Sequence, residues 1–204
     1  MTPRAALERG LNELALAMPA DAVDQLLAYE ELLMKWNRTY NLTAIRDPLE
    51  MVSRHLLDSL AVVNHLPMNE GALLADVGSG AGLPGIPIAI ARGGWRVTLN
   101  DSNQKKSAFL RQAAIELGLR NVEVHEGRIE AWHPTTRFAL VISRAFAELG
   151  DFLAKCRHLV VDGGWLAAMT GAAPAAPGAR CGVIPLKVPQ LEARRHLVLC
   201  KAGV

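Results

Sequence analysis

The chain of 204 residues contains no run of about 18 apolar residues, so no membrane-spanning helix is expected. Its first residues, Met1-Thr2-Pro3-Arg4, lack the apolar core of a signal peptide, and Glu8 and Glu13 follow closely. No targeting peptide is read there. Cysteine is scarce: Cys156, Cys181 and Cys200 are odd in number and far apart. They form no Cys-x-x-Cys pair and no Cys/His cluster with metal spacing, so no metal site is expected, and unpaired thiols in a reducing cytoplasm are. No sign of charge dominates, since the net charge is only +2. The balance is uneven, however: net −3 over residues 1–50, +1 over 51–150 and +4 over 151–204. The basic end can meet phosphate. No internal repeat is evident. Half of the residues are hydrophobic, enough for a sizeable core in one large domain or one domain with an appendage.

The first 66 residues read as a helical extension, and residues 67–204 as an α/β domain. Thr2-Pro3 combines an N-cap with a first-turn proline, and Leu7, Leu11, Leu14 and Met18 repeat at helical spacing. Val23, Leu26, Leu27, Leu33 and Met34 define a second helix, and the polar stretch from Asn37 to Arg46 reads as a loop. Asp47-Pro48-Leu49-Glu50 has the form of a capping box and opens a third helix to about His65, with Met51, Leu56, Leu60 and Val63 buried. From Gly71 the rhythm changes. Apolar runs at 72–77, 96–100, 121–125, 138–142 and 164–169 predict strands. Helical patterns near 85–92, 102–117 and 147–160 fall between them, with Ser102 as cap and Gly118 as terminator of the second. Such alternation implies a parallel sheet. Residues 171–182, rich in Ala, Pro and Gly, read as a mobile loop. Runs 183–188 and 196–201 read as an antiparallel closing hairpin.

The most informative segment is Asp76-Val77-Gly78-Ser79-Gly80-Ala81-Gly82-Leu83-Pro84-Gly85. An apolar strand feeding a glycine-rich turn is how an α/β sheet brings backbone close to a nucleotide. Gly80-x-Gly82-x-x-Gly85 matches the dinucleotide pattern. Asp76-x-Gly78-x-Gly80-x-Gly82 matches the first motif of S-adenosylmethionine-dependent methyltransferases. Asp101 ends the second strand 19 positions after Gly82, where an acid can accept both ribose hydroxyls of either cofactor or cap the next helix. Asp76 favours S-adenosylmethionine, because an acid before the first glycine can lie near a cationic cofactor. Pro84 and Pro87 point the same way, because they remove N–H donors that a pyrophosphate needs. Glu126-Gly127-Arg128-Ile129-Glu130 follows the third strand and can meet an adenine. Arg144 ends the fourth and belongs at the pocket rim, or in a salt bridge to an acid such as Glu130.

Four segments together resemble the RsmG family, the small-subunit ribosomal RNA guanine-N7 methyltransferases also known as glucose-inhibited division protein B. They are Tyr40-Asn41-Leu42-Thr43-Ala44-Ile45-Arg46-Asp47, Arg54-His55-Leu56-Leu57-Asp58-Ser59, the glycine segment through Ile86-Pro87, and Ser143-Arg144-Ala145-Phe146. The resemblance implies a Rossmann-like sheet and a bacterial cytoplasmic enzyme using S-adenosylmethionine. It implies methylation at N7 of one guanine in 16S ribosomal RNA, free or in the small subunit, and a monomer is the default expectation. It puts Gly78, Ser79, Gly80 and Leu83 at the cofactor from the first loop, Asp101 at the ribose, Ile129 and Glu130 at the adenine, and Arg144 at the fourth strand. Thr170-Gly171 departs from the Lys-Gly usual in the family, and threonine cannot replace the charge that a lysine would bring to RNA phosphate or the pocket rim.

No general base is assigned, since guanine N7 carries a lone pair and no proton. Arg38, Arg46, Arg54, Lys155, Arg157, Arg194 and Arg195 are candidate phosphate contacts, and Lys105 and Lys106 are expected to be exposed. His55 is read as a structural hydrogen bond joining the N-terminal helix to the core, and the four tryptophans as packing residues. Two rival readings are an NAD-dependent oxidoreductase and a non-catalytic ribosome-assembly protein retaining the methyltransferase fold.

Overall fold

The computed structural model describes residues 1–144, 148–174 and 178–203. Ala145 and Phe146 of the fourth segment, the first residue of the helix expected at 147–160, and residues 175–177 of the expected 171–182 loop lie outside the described residues.

Helix α1 (Pro3–Glu13) starts as its sequence predicts, with the Thr2 hydroxyl accepting the Ala5 N–H at 3.3 Å. Helix α2 (Ala22–Tyr40) runs further than expected, because Asn37 to Tyr40 are helical rather than loop. Packing overrides their polarity. Trp36 meets Phe109 edge-on with ring centroids 5.6 Å apart and lies 5.2 Å from Tyr40. The buried Asn37 carboxamide accepts the Thr43 N–H at 2.9 Å and donates to the Ile45 carbonyl, holding the loop that follows. Asp47 caps α3 (Pro48–Met51) by accepting the Glu50 N–H at 2.9 Å. The chain then widens into a π-helical segment, Val52–Leu57, before α4 (Asp58–Leu60) and a 3-10 turn, Val63–His65. Met51, Leu56, Leu60 and Val63 are buried, in line with their spacing. Such π-turns are rare and concentrate at functional sites.

The seven strands are β1 (Leu73–Val77), β2 (Arg96–Asp101), β3 (Val122–Glu126), β4 (Phe138–Arg144), β5 (Val160–Thr170), β6 (Cys181–Leu186) and β7 (Arg195–Lys201). They form one sheet in the order β3-β2-β1-β4-β5-β7-β6. The first five are parallel, and β7 runs antiparallel to both β5 and β6. This is the expected Rossmann-like sheet with a closing antiparallel pair. Helices α5 (Gly85–Ala91) and α6 (Gln104–Glu116) cover one face together with α2, and α7 (Leu149–Cys156) covers the other. Asn103, not Ser102, caps α6, its side-chain oxygen accepting the Lys105 and Lys106 N–H groups at 3.0 and 3.2 Å. Gly118 turns out of that helix at φ +64°.

The N-terminal helices share the core under α5 and α6: Leu7, Leu26 and Leu33 belong to one buried cluster with Leu74, Leu99 and Leu140. The fully buried Tyr29 carries this contact into the glycine loop, donating its hydroxyl to the Ala81 carbonyl at 2.6 Å. Tyr29→Phe leaves that carbonyl without its partner and is expected to lower stability by about 1–3 kcal/mol. Urea unfolding measures it, and an unchanged midpoint contradicts the role given to this bond.

The reading of three unpaired thiols needs correction. Cys181 and Cys200 face each other across β6 and β7 and are joined in a disulfide. The fold makes them neighbours although they stand 19 residues apart in sequence. Cys156 alone is free; it is buried, and burial pushes its thiol up to about 12.

Among the described residues, no helix is long and apolar enough to cross a membrane, and no group of three His, Cys, Asp or Glu side chains is placed to hold a metal ion.

Candidate functional site

At the end of β1 the chain turns through three glycines with left-handed φ: +68° at Gly78, +60° at Gly80 and +91° at Gly82. L-residues avoid that region, which explains the residue type at each. Gly78 also faces open space, since a Cβ there would meet nothing within 4 Å. Gly85 shows the opposite case. A Cβ there would collide with Leu99 and lie 2.7 Å from Asp76 Oδ2.

Asp76 sits beneath this turn, fully buried. Its Oδ2 accepts the Gly85 N–H at 2.8 Å, while Oδ1 has no hydrogen-bond partner among the described residues. Burial pushes the carboxyl up to about 7, against the pull of the Gly85 bond. The folded protein therefore holds this proton more tightly than the unfolded chain does. The resulting stabilisation is complete below the ordinary value of 3.8 and is lost as pH rises through about 7. Asp76→Asn keeps an acceptor for Gly85 and cannot ionise. It is expected to remove about 2–3 kcal/mol from the stability difference between pH 5 and pH 8. Urea midpoints at the two pH values test this, and an undiminished difference contradicts it.

The other predicted residues gather around the turn to different degrees. The Ser79 hydroxyl donates to the Asp76 carbonyl at 2.8 Å, and its N–H to the Asn100 carbonyl at 2.9 Å, so Ser79 shapes the turn. Leu83 is buried in the core, and its N–H donates to the Ser79 carbonyl at 3.0 Å. Asp101 takes the Gly80 N–H on Oδ2 at 3.0 Å and the Asn103 N–H on Oδ1 at 2.8 Å. Each oxygen retains a further lone pair for a ligand hydroxyl. Lys106 lies 4.0 Å from Oδ2 and is only part-exposed. Asn100 ties in the third loop by donating to the Gly127 and His125 carbonyls at 2.9 and 3.2 Å. The Gly127 N–H returns to the Asp101 carbonyl at 3.1 Å. The loops after β1, β2 and β3 therefore form one bonded unit. Ile129, buried, and Glu130, exposed, occupy the 3-10 turn Ile129–Ala131 that follows.

Arg144 ends β4, where the Ser143 hydroxyl donates to the Val77 carbonyl at 2.8 Å. Its guanidinium does not pair with Glu130, which instead meets Arg128 and Lys155 at 3.7 and 3.9 Å. Arg144 Nη1 donates to the Arg54 carbonyl at 3.2 Å and to Asp58 Oδ2 at 3.3 Å. Asp58 Oδ1 accepts Arg195 Nε at 2.9 Å. These groups line a cavity of about 400 Å³ with Ile45, Arg54, His55, Met169, Thr170 and Gly171. Thr170 turns its hydroxyl to the Ala172 carbonyl at 2.8 Å and brings no charge.

His55 ties the N-terminal extension to itself rather than to the core. One ring nitrogen lies 2.7 Å from the Thr43 hydroxyl and the other 3.0 Å from the Arg54 carbonyl. Burial, with repulsion from Arg144, pushes it down to about 4, so the ring is neutral at pH 7.

Sequence reasoning assigned no role to Tyr29, Asp58 or Asn100. Asn100 shares its side of β2 with Arg96 and Thr98, so its polarity does not single it out.

A sheet whose parallel strand ends present a glycine turn, a carboxylate at the β2 tip and a third loop bonded to the end of β2 defines a Rossmann-like methyltransferase fold. Among solved structures, an S-adenosylmethionine-dependent methyltransferase from Aquifex aeolicus superimposes with a TM-score of 0.59 at 18% identity, covering 85% of this chain and 98% of that one. The family model described as rRNA small subunit methyltransferase G, GidB, matches residues 22–180. Curated proteins named Ribosomal RNA small subunit methyltransferase G are 50% identical over 201 residues in Chromobacterium violaceum, covering 95% of each chain, and 49% identical over 199 residues in Laribacter hongkongensis, covering 94% of this chain and 95% of that one. The chain belongs to this GidB family.

Proposed function

We propose that the chain transfers a methyl group from S-adenosylmethionine to N7 of a guanine in 16S ribosomal RNA, acting in the cytoplasm on the RNA of the small subunit. Membership of a family described as rRNA small subunit methyltransferases is the observation that carries this reading.

The residues present fit the methyl donor. Gly78 leaves open space into which any side chain would project, Asp101 retains acceptors at the β2 tip, and the orphaned Asp76 Oδ1 suits a cation. When bound, S-adenosylmethionine supplies an electrophilic methyl on a sulfonium. The chain's contribution is to position the reactants and exclude water, since the attacked nitrogen needs no base. Gly78, Ser79 and Gly80 shape the first loop, Asp101 binds the ribose, and Ile129 and Glu130 flank the adenine. N7 lies in the deep groove of A-form RNA, which side chains cannot reach, so the target is an unpaired or extruded guanine. The cavity that Arg144 and Arg195 line is assigned to that target, its basic lining being the support for this. On this reading residues 1–66 shape the substrate side of the site and residues 67–204 carry the cofactor.

A cation beside Asp76 favours its ionised form. Binding of S-adenosylmethionine is therefore expected to release protons near neutral pH and to tighten as pH rises from about 6 to 8. Calorimetry in two buffers of different ionisation enthalpy reads the proton release, and none in Asp76→Asn isolates its source. Proton uptake in the parent protein contradicts the assignment. The reading as a whole is tested by labelled methyl transfer to small subunits from a strain lacking the modification, where no label above background overturns it.

A further inference from the structure

Two guanidiniums but only one carboxylate meet in the cavity at the end of β4 and the start of β7, and the imidazole that joins them is neutral. Arg144 and Arg195 face Asp58, while the Arg54 guanidinium lies 3.7 Å from Glu50, so the cavity carries a surplus of about one positive charge. The carboxylate is almost completely buried, whereas the arginine side chains it holds are each about a quarter exposed. Its two oxygens take different partners, Oδ2 from the end of β4 and Oδ1 from the start of β7. The partners stand 86 and 137 residues away in sequence, and the sheet makes them neighbours. Because β7 runs antiparallel to β5, with Thr170 opposite His196, Arg195 begins its strand where β4 and β5 end.

The donors left over give this arrangement its chemistry. Arg144 spends Nη1 on Asp58 and on the Arg54 carbonyl, and Arg195 spends Nε on Asp58 and Nη1 on the Arg194 carbonyl. Arg144 Nε and Nη2 and Arg195 Nη2 have no partner among the described residues. Arg144, held through Nη1, is pre-organised to offer its Nε–Nη2 edge to an oxyanion, and with Arg195 Nη2 at the same cavity these donors suit a tetrahedral phosphate. Without the carboxylate, two like charges sharing a partly buried site repel each other and lose their fixed orientation.

We propose that Asp58 is a positioning residue that aims Arg144 and Arg195 at a phosphodiester group flanking the target guanosine, making this cavity the phosphate subsite of the nucleotide to be methylated. The proposal rests on the functional reading above. Phosphate contacts of this kind fix the register of a nucleic acid and leave base identity to other groups. The flanking phosphate thereby sets the depth to which the guanosine enters, and Thr170, which carries no charge, is not needed for it.

The test uses the full chain saturated with S-adenosylhomocysteine and titrated with guanosine and with guanosine 3′,5′-bisphosphate. The parent protein should bind the bisphosphate at least about tenfold more tightly, as charge-assisted contacts to phosphate imply. In Asp58→Asn that preference should fall below about threefold, with affinity for S-adenosylhomocysteine unchanged. A merely structural role for Asp58 weakens both ligands alike and leaves their ratio intact, and that outcome overturns the proposal. Equal binding of the two ligands by the parent protein overturns it too, as does binding of neither. Should Asp58→Asn fail to fold, Arg195→Met at the cavity rim must abolish the preference in the same way, and a retained tenfold ratio there refutes the subsite. Failure of the methyl-transfer reading is separately visible, because it appears as an absence of label on small subunits and does not alter these titrations.

Discussion

Asp101→Ala is expected to weaken binding of S-adenosylhomocysteine at least about tenfold, the effect of losing roughly 1.4 kcal/mol of charge-assisted bonding. Two losses combine. The carboxylate no longer accepts the Gly80 and Asn103 N–H groups, so the glycine turn is released from the tip of β2. The acceptors assigned to the ribose hydroxyls disappear as well. Asp101→Asn separates the two losses: its single carbonyl oxygen can serve one backbone N–H, and its amide donors face groups that are themselves donors. Its affinity should fall between those of the parent and Asp101→Ala. Calorimetry measures all three, and an alanine variant with parental affinity would remove Asp101 from the site.

Gly85→Ala is expected to lower stability by about 2–3 kcal/mol and to weaken cofactor binding with it. The added Cβ has no room, because Leu99 stands against it on β2 and the Asp76 carboxylate on β1. Leu99 is fully buried and cannot yield without moving its neighbours. Asp76 cannot move without breaking its 2.8 Å bond to the Gly85 N–H, which joins the end of β1 to the start of α5. Gly78→Ala provides the contrast. Its Cβ enters open space, so packing is spared and the cost comes from left-handed backbone, about 1 kcal/mol. The side chain intrudes instead on the hollow assigned to the cofactor. Gly85→Ala should therefore fail chiefly in unfolding experiments and Gly78→Ala chiefly in ligand titrations. Equal stability losses for the two would contradict this assignment of the glycines.

The sheet was legible in the sequence because its strands are short apolar runs separated by helical spacing, and the predicted limits fall within a few residues of those observed for six of the seven strands. The fifth, β5, starts at Val160 rather than 164, because Gly163 and Gly164 interrupt its apolar pattern without ending the strand. The motif residues after β1 and β2 were legible for a similar reason. Glycine and aspartate are required there by local backbone geometry, which sequence records directly. Asn37 was misread because its polarity suggested a loop, whereas it is buried and used to hold the loop beyond it. The π-turn through Arg54 and His55 left no trace, since its residues are those of an ordinary amphipathic helix. Neither Asp58 nor the Cys181–Cys200 bond could be inferred from spacing, because strand pairing alone brings their partners near. Arg144 was placed correctly at the strand end, but the acid that holds it comes from the N-terminal extension and not from the loop after β3.

The central claim, transfer to N7 of a guanine in the small-subunit RNA, is tested most directly by nucleoside mass spectrometry. Small subunits from a strain lacking the modification are treated with the purified chain and S-adenosylmethionine, and the 16S RNA is digested and mapped. The account predicts one new 7-methylguanosine at a single, locally unpaired position. A new methyl group on any other atom or base, or no new methyl group at all, would contradict it.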